Sequence, residues 1–373
     1  MTKRNLTFLA MAFFFFSATL FAQKKNSYSR MHGRLGGNIN VVGNFQRNGS
    51  RVDGNYSYNL YINDSLTHLS HIVTLYGDID KHNNVIFKQY PANDTTIAGL
   101  FTDSRFTGSW HGSDSTILPF DLSKTYTKGS IPLNVFYLHS GKELASGYQS
   151  SPSAEIELTL IYPKNSTLVS ETVSDSVKKY IQKQFFGQSK SGELPEDLLA
   201  KSEQNFYNQF NELNSHWKNN HKLGFNMEKK EQVLVIFNGY NLLCLQYKKR
   251  GYAGRGNPME HISYDIIDLR NGKKLTPENI FKPDAKLSIT KLINKKIREN
   301  NGLSEKESLK KIGFFYDSIP ISRNMAFNGN GISFVYNVYD LAPPAMGIQK
   351  IFLPFSEIGI YIRSSSVLYP LSR

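Results

Sequence analysis

The stretch Ser146-Gly147-Tyr148-Gln149-Ser150-Ser151-Pro152-Ser153 divides this chain into two kinds of sequence. Small turn-forming residues with no apolar period read as a connection, and 148–153 is assigned as the linker. Before it, over 36–147, apolar runs alternate with Asn, Gly and Asp turns at the spacing of short antiparallel strands. The runs are Asn38–Phe45, Val52–Ile62, His68–Ile79, Val85–Tyr90, Gly99–Thr107, Ser109–His111, Thr116–Leu122 and Ile131–Leu138. None has the spacing of an amphipathic helix. The expectation is an all-β N-terminal domain, an antiparallel sheet or small barrel.

After the linker the pattern changes. Ala154–Tyr162 alternates as a strand. Val173–Phe186 carries apolar residues at 173, 177, 180, 181 and 185, close to helical spacing. Leu194–Trp217 reads as a second helix, with Pro195, Glu196 and Asp197 suited to its first turn. Gln232–Asn238 and Tyr240–Lys248 read as a hairpin about Asn238-Gly239. Glu260–Leu269 is a further strand, followed by a short capped helix at Leu275–Phe281. Leu287–Asn300 has an amphipathic period through Ile289, Leu292, Ile293 and Ile297. Asn324–Phe327 and Ile332–Tyr339 form a last hairpin, and Gln349–Leu353 an edge strand. The region 154–373 is therefore expected to be an α+β domain.

At the N-terminus, Lys3 and Arg4 precede an apolar run from Leu6 to Phe21, then Ala22 and a polar stretch. Positive charge, apolar core and small residue, in that order, read as a signal peptide over 1–22. The run is shorter than the roughly 20 residues that span a bilayer as a helix. Residues 23–35 are expected to be a flexible leader, and the exported protein to be periplasmic or extracellular.

The 373 residues carry a net charge of +13, with 25 Phe, 21 Tyr, 2 Trp and a single Cys. A basic exported protein favours acidic partners over neutral ones, and nucleic acid is not expected. One thiol excludes an internal disulfide. Cys244 lies in the apolar run Leu242-Leu243-Cys244-Leu245 and reads as a buried, inert side chain.

Three stretches of the second half carry a family resemblance. They are Gly251–Leu275, with Tyr264-Asp265-Ile266-Ile267-Asp268-Leu269 and Asn271-Gly272-Lys273; Thr276–Lys282, ending Ile280-Phe281-Lys282; and Phe327–Ile358, with Tyr339-Asp340-Leu341-Ala342-Pro343-Pro344-Ala345-Met346-Gly347. Together they resemble the C-terminal domain of RsiV-type lysozyme-sensing anti-sigma factors, and the related domain of PdaC-like deacetylases. The turn that often holds a His before Pro in that family reads Arg255-Gly256-Asn257-Pro258 here, and Pro344 stands where an aromatic is common. The transmembrane and catalytic parts of those proteins have no counterpart in the sequence. The resemblance implies a binding module, with Tyr252, Arg255, Tyr339 and Asp340 in or beside its loops.

Catalytic signatures are lacking. There is no G-x-S-x-G elbow and no phosphate loop, and the nine His are scattered. His68 and His71 would face opposite sides of a strand. No catalytic residue, metal ligand or cofactor is assigned. Asp265, Asp268 and Asp340 are the carboxylates that a hydrolase would draw on, and each also suits a turn or strand edge. In the β domain Tyr56, Tyr58 and Trp110 supply aromatic faces of the kind that sugars stack on, or else pack the sheet's own core. The resulting expectation is an exported, non-catalytic binding protein of the cell envelope. Its ligand would be peptidoglycan, another glycan or a lysozyme-like protein. The alternatives are a cell-wall hydrolase using a carboxylate pair, and a structural envelope component.

Overall fold

The computed structural model describes residues 26–373 apart from 63–64, 91–93, 149, 189–191, 218–223, 255 and 257. The expected signal peptide lies outside the described residues. The first nine strands are β1 (Ser27–Leu35), β2 (Ile39–Asn48), β3 (Arg51–Ile62), β4 (Ser65–Leu69), β5 (Val73–Asp78), β6 (Asn84–Tyr90), β7 (Thr96–Phe101), β8 (Arg105–His111) and β9 (Ile117–Lys124). Each pairs antiparallel with its neighbours. β1 pairs with both β2 and β9, and β3 with both β2 and β5, so eight strands close into a barrel and β4 lies outside as a flap. Closure removes the sheet edges that would otherwise invite pairing with other chains.

Alternation along the strands decides what fills the barrel. In β6, Val85, Phe87 and Gln89 are buried while Ile86, Lys88 and Tyr90 face out. Phe45, Phe87, Phe101, Phe106 and Phe120 meet at the centre, with ring centroids 4.5–5.7 Å apart, mostly edge to face. The space left inside is 20 Å³, lined by apolar side chains. The barrel is a packed core and holds no ligand chamber.

The second sheet runs β10 (Leu133–Glu143), β11 (Ser153–Pro163), β12 (Met227–Gly239), β13 (Leu242–Ala253), β14 (Met259–Asp268) and β15 (Lys273–Lys274), in that spatial order. β11 and β12 are parallel. The crossover between them is α1 (Glu171–Phe186) and α2 (Pro195–Leu213), which cover one face of the sheet. Ser170 caps α1 by accepting from Val173 N at 3.3 Å, and Gly187 ends it at φ +74°. Against part of the other face lies a lobe built from α3 (Lys286–Asn300) and a three-stranded sheet of β16 (Met325–Phe327), β17 (Gly331–Tyr336) and β18 (Gln349–Pro354). On α3 the buried stripe is Ile289, Ile293 and Ile297, while Leu287 is left exposed. Asn324 and Asn337 join the lobe to the free edge of β14 through the backbone of Ile262 and Tyr264, at 2.8–3.1 Å.

The all-β first half and α+β second half stand as expected, with different boundaries. Residues 27–35, expected in the leader, are β1 and complete the barrel. The strand expected to end the β domain is β10, which pairs with β11 over its whole length in the second sheet. The stretch read as a linker thus falls between the two strands of a hairpin and into the start of β11 at Ser153, with Gln149 outside the described residues; turn residues have the same composition as a linker. The run His68–Ile79 is broken. Residues 70–72 leave the barrel wall, and Leu69 and Ile72 enter the core of the lobe. The β12–β13 turn falls at Tyr240-Asn241, both at positive φ, two residues beyond Asn238-Gly239. A bulge between Val235 and Phe237 shifts the register and keeps Asn238 in the strand. Cys244 is fully buried, and burial pushes its thiol up to about 12.

Candidate functional site

The site is set by a mismatch between strands. β11 pairs with β12 only as far as Gln232. Beyond that residue the outer edge of β12 has no strand beside it, and its carbonyls need other donors. The barrel supplies them. Gln46 Nε2 donates to Val233 O at 3.0 Å, Asn55 Nδ2 to Val235 O at 2.7 Å, and Arg30 Nε to Asn238 O at 2.6 Å. A buried relay joins these anchors: Asn238 Nδ2 donates to Tyr28 Oη (3.0 Å), Tyr28 to Asn44 Oδ1 (2.8 Å), and Asn44 Nδ2 to Asn55 Oδ1 (3.0 Å). Gln232 Nε2 donates to Asp53 Oδ2 at 2.8 Å. Polar side chains on the outside of β1, β2 and β3 thereby fix the barrel on the second sheet.

A second contact lies at the lobe. Asn328 Oδ1 accepts from Ile72 N at 3.0 Å, and its amide meets His71 Nε2 at 3.1 Å. His71 stands edge-on to Phe352, with centroids 5.2 Å apart. Gly329 (φ +70°) allows this fit, since a Cβ there would sit 1.9 Å from Ser70 O. Partial desolvation holds the His71 imidazole below its usual 6.5, and a contact with Asn330 offsets part of that shift. The depressed pKa means that the undocked chain takes up the proton first. Stability from this contact is present above about pH 6.5 and is lost as pH falls. We expect the denaturant midpoint of the native chain to drop between roughly pH 8 and 5 more than that of His71→Gln. Parallel curves for the two proteins would show that His71 does not carry this dependence.

Between the two contacts the barrel and lobe stand apart, and a cleft of 480 Å³ opens over the sheet. Its floor is the part of the sheet face of β12, β13 and β14 between barrel and lobe, where Leu234, Gln246 and Tyr264 form one cross-strand row and Gln232, Lys248 and Ile262 the next; Leu234, Gln246 and Lys248 are partly exposed there, and Gln232, Ile262 and Tyr264 are buried. Gln246 donates to the Tyr264 hydroxyl. Tyr76 and Tyr90 of the barrel wall stand at the rim, 40% and 65% exposed. Cross-strand pairing of Thr74 with Tyr90 and Tyr76 with Lys88 makes the two rings diagonal neighbours. Two ion pairs lie in the cleft, with Lys350 as a third cation. Arg51 pairs with Asp53 at 3.0 Å and Lys248 with Glu260 at 3.0 Å, with Lys350 beside the latter pair.

The sequence-derived residues fall elsewhere. Tyr56 is 4% exposed inside the barrel, with Tyr58 edge-on to it, and Trp110 packs against the same core. These rings lie in or against the barrel core, away from the cleft. Tyr339 is exposed at φ +70°, and Asp340 accepts from Asn337 N at 2.7 Å, so that turn orients the Asn337 bridge. Tyr252 lines a separate hollow at the end of β13. Arg255 lies outside the described residues. Asp268 holds Arg270 and caps a turn, and Asp265 is buried beneath α1 in an ion pair with Lys274. Asp265, Asp268 and Asp340, the carboxylates a hydrolase would draw on, are thus each engaged in separate local contacts. Tyr76 and Tyr90 were missed because strand alternation marks them as outward only once the barrel is known to be closed. Among the described residues no group of three or more His, Cys, Asp or Glu could hold a metal ion, and no helix is long and apolar enough to cross a membrane.

Fold and cleft define a two-lobed protein, a packed β-barrel clamped to an α+β domain. Residues 278–356 match the family described as "Protein of unknown function (DUF3298)", so the second half carries a DUF3298 domain. A DUF3298 family member from Bacteroides fragilis NCTC 9343 has a similar structure, with a TM-score of 0.59 and 22% identity over 66% of this chain and 100% of that one. A DUF3298 family protein from Pseudomonas aeruginosa PAO1 aligns at a TM-score of 0.42 and 12% identity, covering 63% of this chain and 97% of that one. The first likeness bears on the fold. None of the curated proteins matches the chain.

Proposed function

We propose that this is an exported, non-catalytic binding protein of the cell envelope that takes a glycan in the cleft between barrel and lobe. The observation that carries the reading is the cleft's composition: amide and phenol side chains beneath two exposed tyrosine faces, with arginine and lysine largely offset by carboxylates. Sugar hydroxyls both donate and accept, as amides do. The apolar C–H face of a sugar ring suits an aromatic face. A strongly acidic ligand would have to displace Asp53 and Glu260 from their partners, so the cleft favours a neutral ligand despite the chain's net charge of +13. The sequence resemblance to the RsiV-type domain motivates a lysozyme-like protein as the second reading.

The test is retention of the exported form on insoluble peptidoglycan and on immobilised lysozyme at low and high salt. Salt-resistant retention on peptidoglycan is expected, with Tyr90→Ala weakening it about tenfold, or about 1.4 kcal/mol. Retention lost at high salt would mean charge attraction alone. Retention only on lysozyme would replace the glycan reading with the second one.

A further inference from the structure

The uncovered face of the second sheet does not end at the cleft. Moving along the strands from Leu234, Gln246 and Tyr264, the next rows are Gln232 with Lys248, then Lys230 with Arg250 and Glu260, then Glu228 with Tyr252. Glu157 and Glu155 of β11 extend the last two rows. All of these positions share one face, because residues two apart on a strand point the same way. At the far end the face opens into a second hollow of 860 Å³, with Tyr252, Glu228, Glu155 and His139 in its wall. From Glu228 to Leu234 the face runs about 20 Å at roughly 3.3 Å per residue.

We propose that the ligand is a linear sugar chain laid along this face, with a second subsite at Tyr252. The inference rests on the glycan reading of the cleft and extends it from a pocket to a track. The floor between the hollows is a ladder of paired charges: Lys230 with Glu157, Arg250 with Glu228 (4.0 Å), and Lys248 with Glu260 (3.0 Å). All six side chains are partly exposed. Such a ladder presents alternating donors and acceptors with little net charge. A run of hydroxyl groups can match it while leaving the ion pairs in place, whereas a polyanion would have to break them. Tyr252 at one end and the Tyr76–Tyr90 rim at the other place aromatic faces where the two ends of such a chain would lie.

The test is calorimetric titration of the exported form with soluble, peptide-free peptidoglycan chains of graded length, from the disaccharide upward. Affinity should rise at least about tenfold with length, then level off once the chain covers about 20 Å. Tyr252→Ala and the milder Glu228→Gln should each remove most of that gain and leave disaccharide binding unchanged. Equal affinity at every length would overturn the track while leaving the glycan reading intact. So would a Tyr252→Ala protein that loses disaccharide and long chain alike. Failure of every length to bind would overturn the glycan reading, and the track with it.

Discussion

Replacing Lys274 with methionine will destabilise the protein by about 3–5 kcal/mol, the usual cost of stranding one member of a buried ion pair. The carboxylate at stake is Asp265, fully buried between β14 and α1. Lys274 is its ionic partner, Gln184 Nε2 reaches it only at 3.5 Å, and Asp265 Oδ2 has no hydrogen-bond partner. Tyr247 lies alongside, its phenol pushed well above the usual range by burial and then by the Asp265 charge. With Lys274 gone, the buried carboxylate loses its ionic partner and keeps only the long contact from Gln184 and the neighbouring Tyr247 phenol. The control is the double variant Lys274→Met with Asp265→Leu. An apolar pair in the same space should recover most of the loss, and can exceed the native chain. Urea unfolding of the native chain, the two single variants Lys274→Met and Asp265→Leu, and the double variant gives the coupling. If the Lys274 variant alone sits within about 0.5 kcal/mol of the native chain, the pair is not stabilising this sheet.

Asn238→Ala is the second large effect. Asn238 is 2% exposed and serves both sides of the seam. It donates to Ile131 O (2.8 Å) and Tyr28 Oη (3.0 Å), and accepts from Ile131 N (2.9 Å). Alanine leaves the buried Ile131 N–H and C=O without their partner. At about 1–3 kcal/mol for each stranded group, a loss of about 3 kcal/mol is expected. Because the same side chain feeds the Tyr28–Asn44–Asn55 relay, the barrel should also loosen from the sheet. Its unfolding should separate from that of the α+β domain, seen as a broadened or split transition. A sharp transition at the native midpoint would refute both effects.

The same two residues mark how far the sequence could be read. Asp265 and Asn238 each sit in segments whose strand character was plain from alternation, yet both were assigned local roles, one as a strand-edge carboxylate and the other as a turn residue. Their actual partners come from other elements. Lys274 is close in the chain but reaches Asp265 across a strand pair, and Tyr28 and Ile131 are 210 and 107 positions away from Asn238. The Asn238-Gly239 pair was a sound turn signal, overridden by a bulge that no local pattern announces. Tyr56, Tyr58 and Trp110 read as aromatic faces that either stack on a sugar or pack the sheet's own core, and they lie in and against the barrel core. Whether such faces meet solvent or one another depends on barrel closure, a long-range event.

By itself the sequence determined the two fold classes, the main helices, most strand positions and the burial of Cys244. These follow from periodicity and from short-range backbone preferences, which act within a few residues. Only the tertiary structure decided that β1 closes the barrel, that β10 belongs to the second sheet, and that residues 70–72 leave one core to enter another. It also decided where a ligand could lie. The cleft forms because β11 and β12 part after Gln232, and the barrel's amides fill the gap in hydrogen bonding that this leaves. Which backbone groups lack a partner is a property of the assembled sheets, and no stretch of chain carries that information alone.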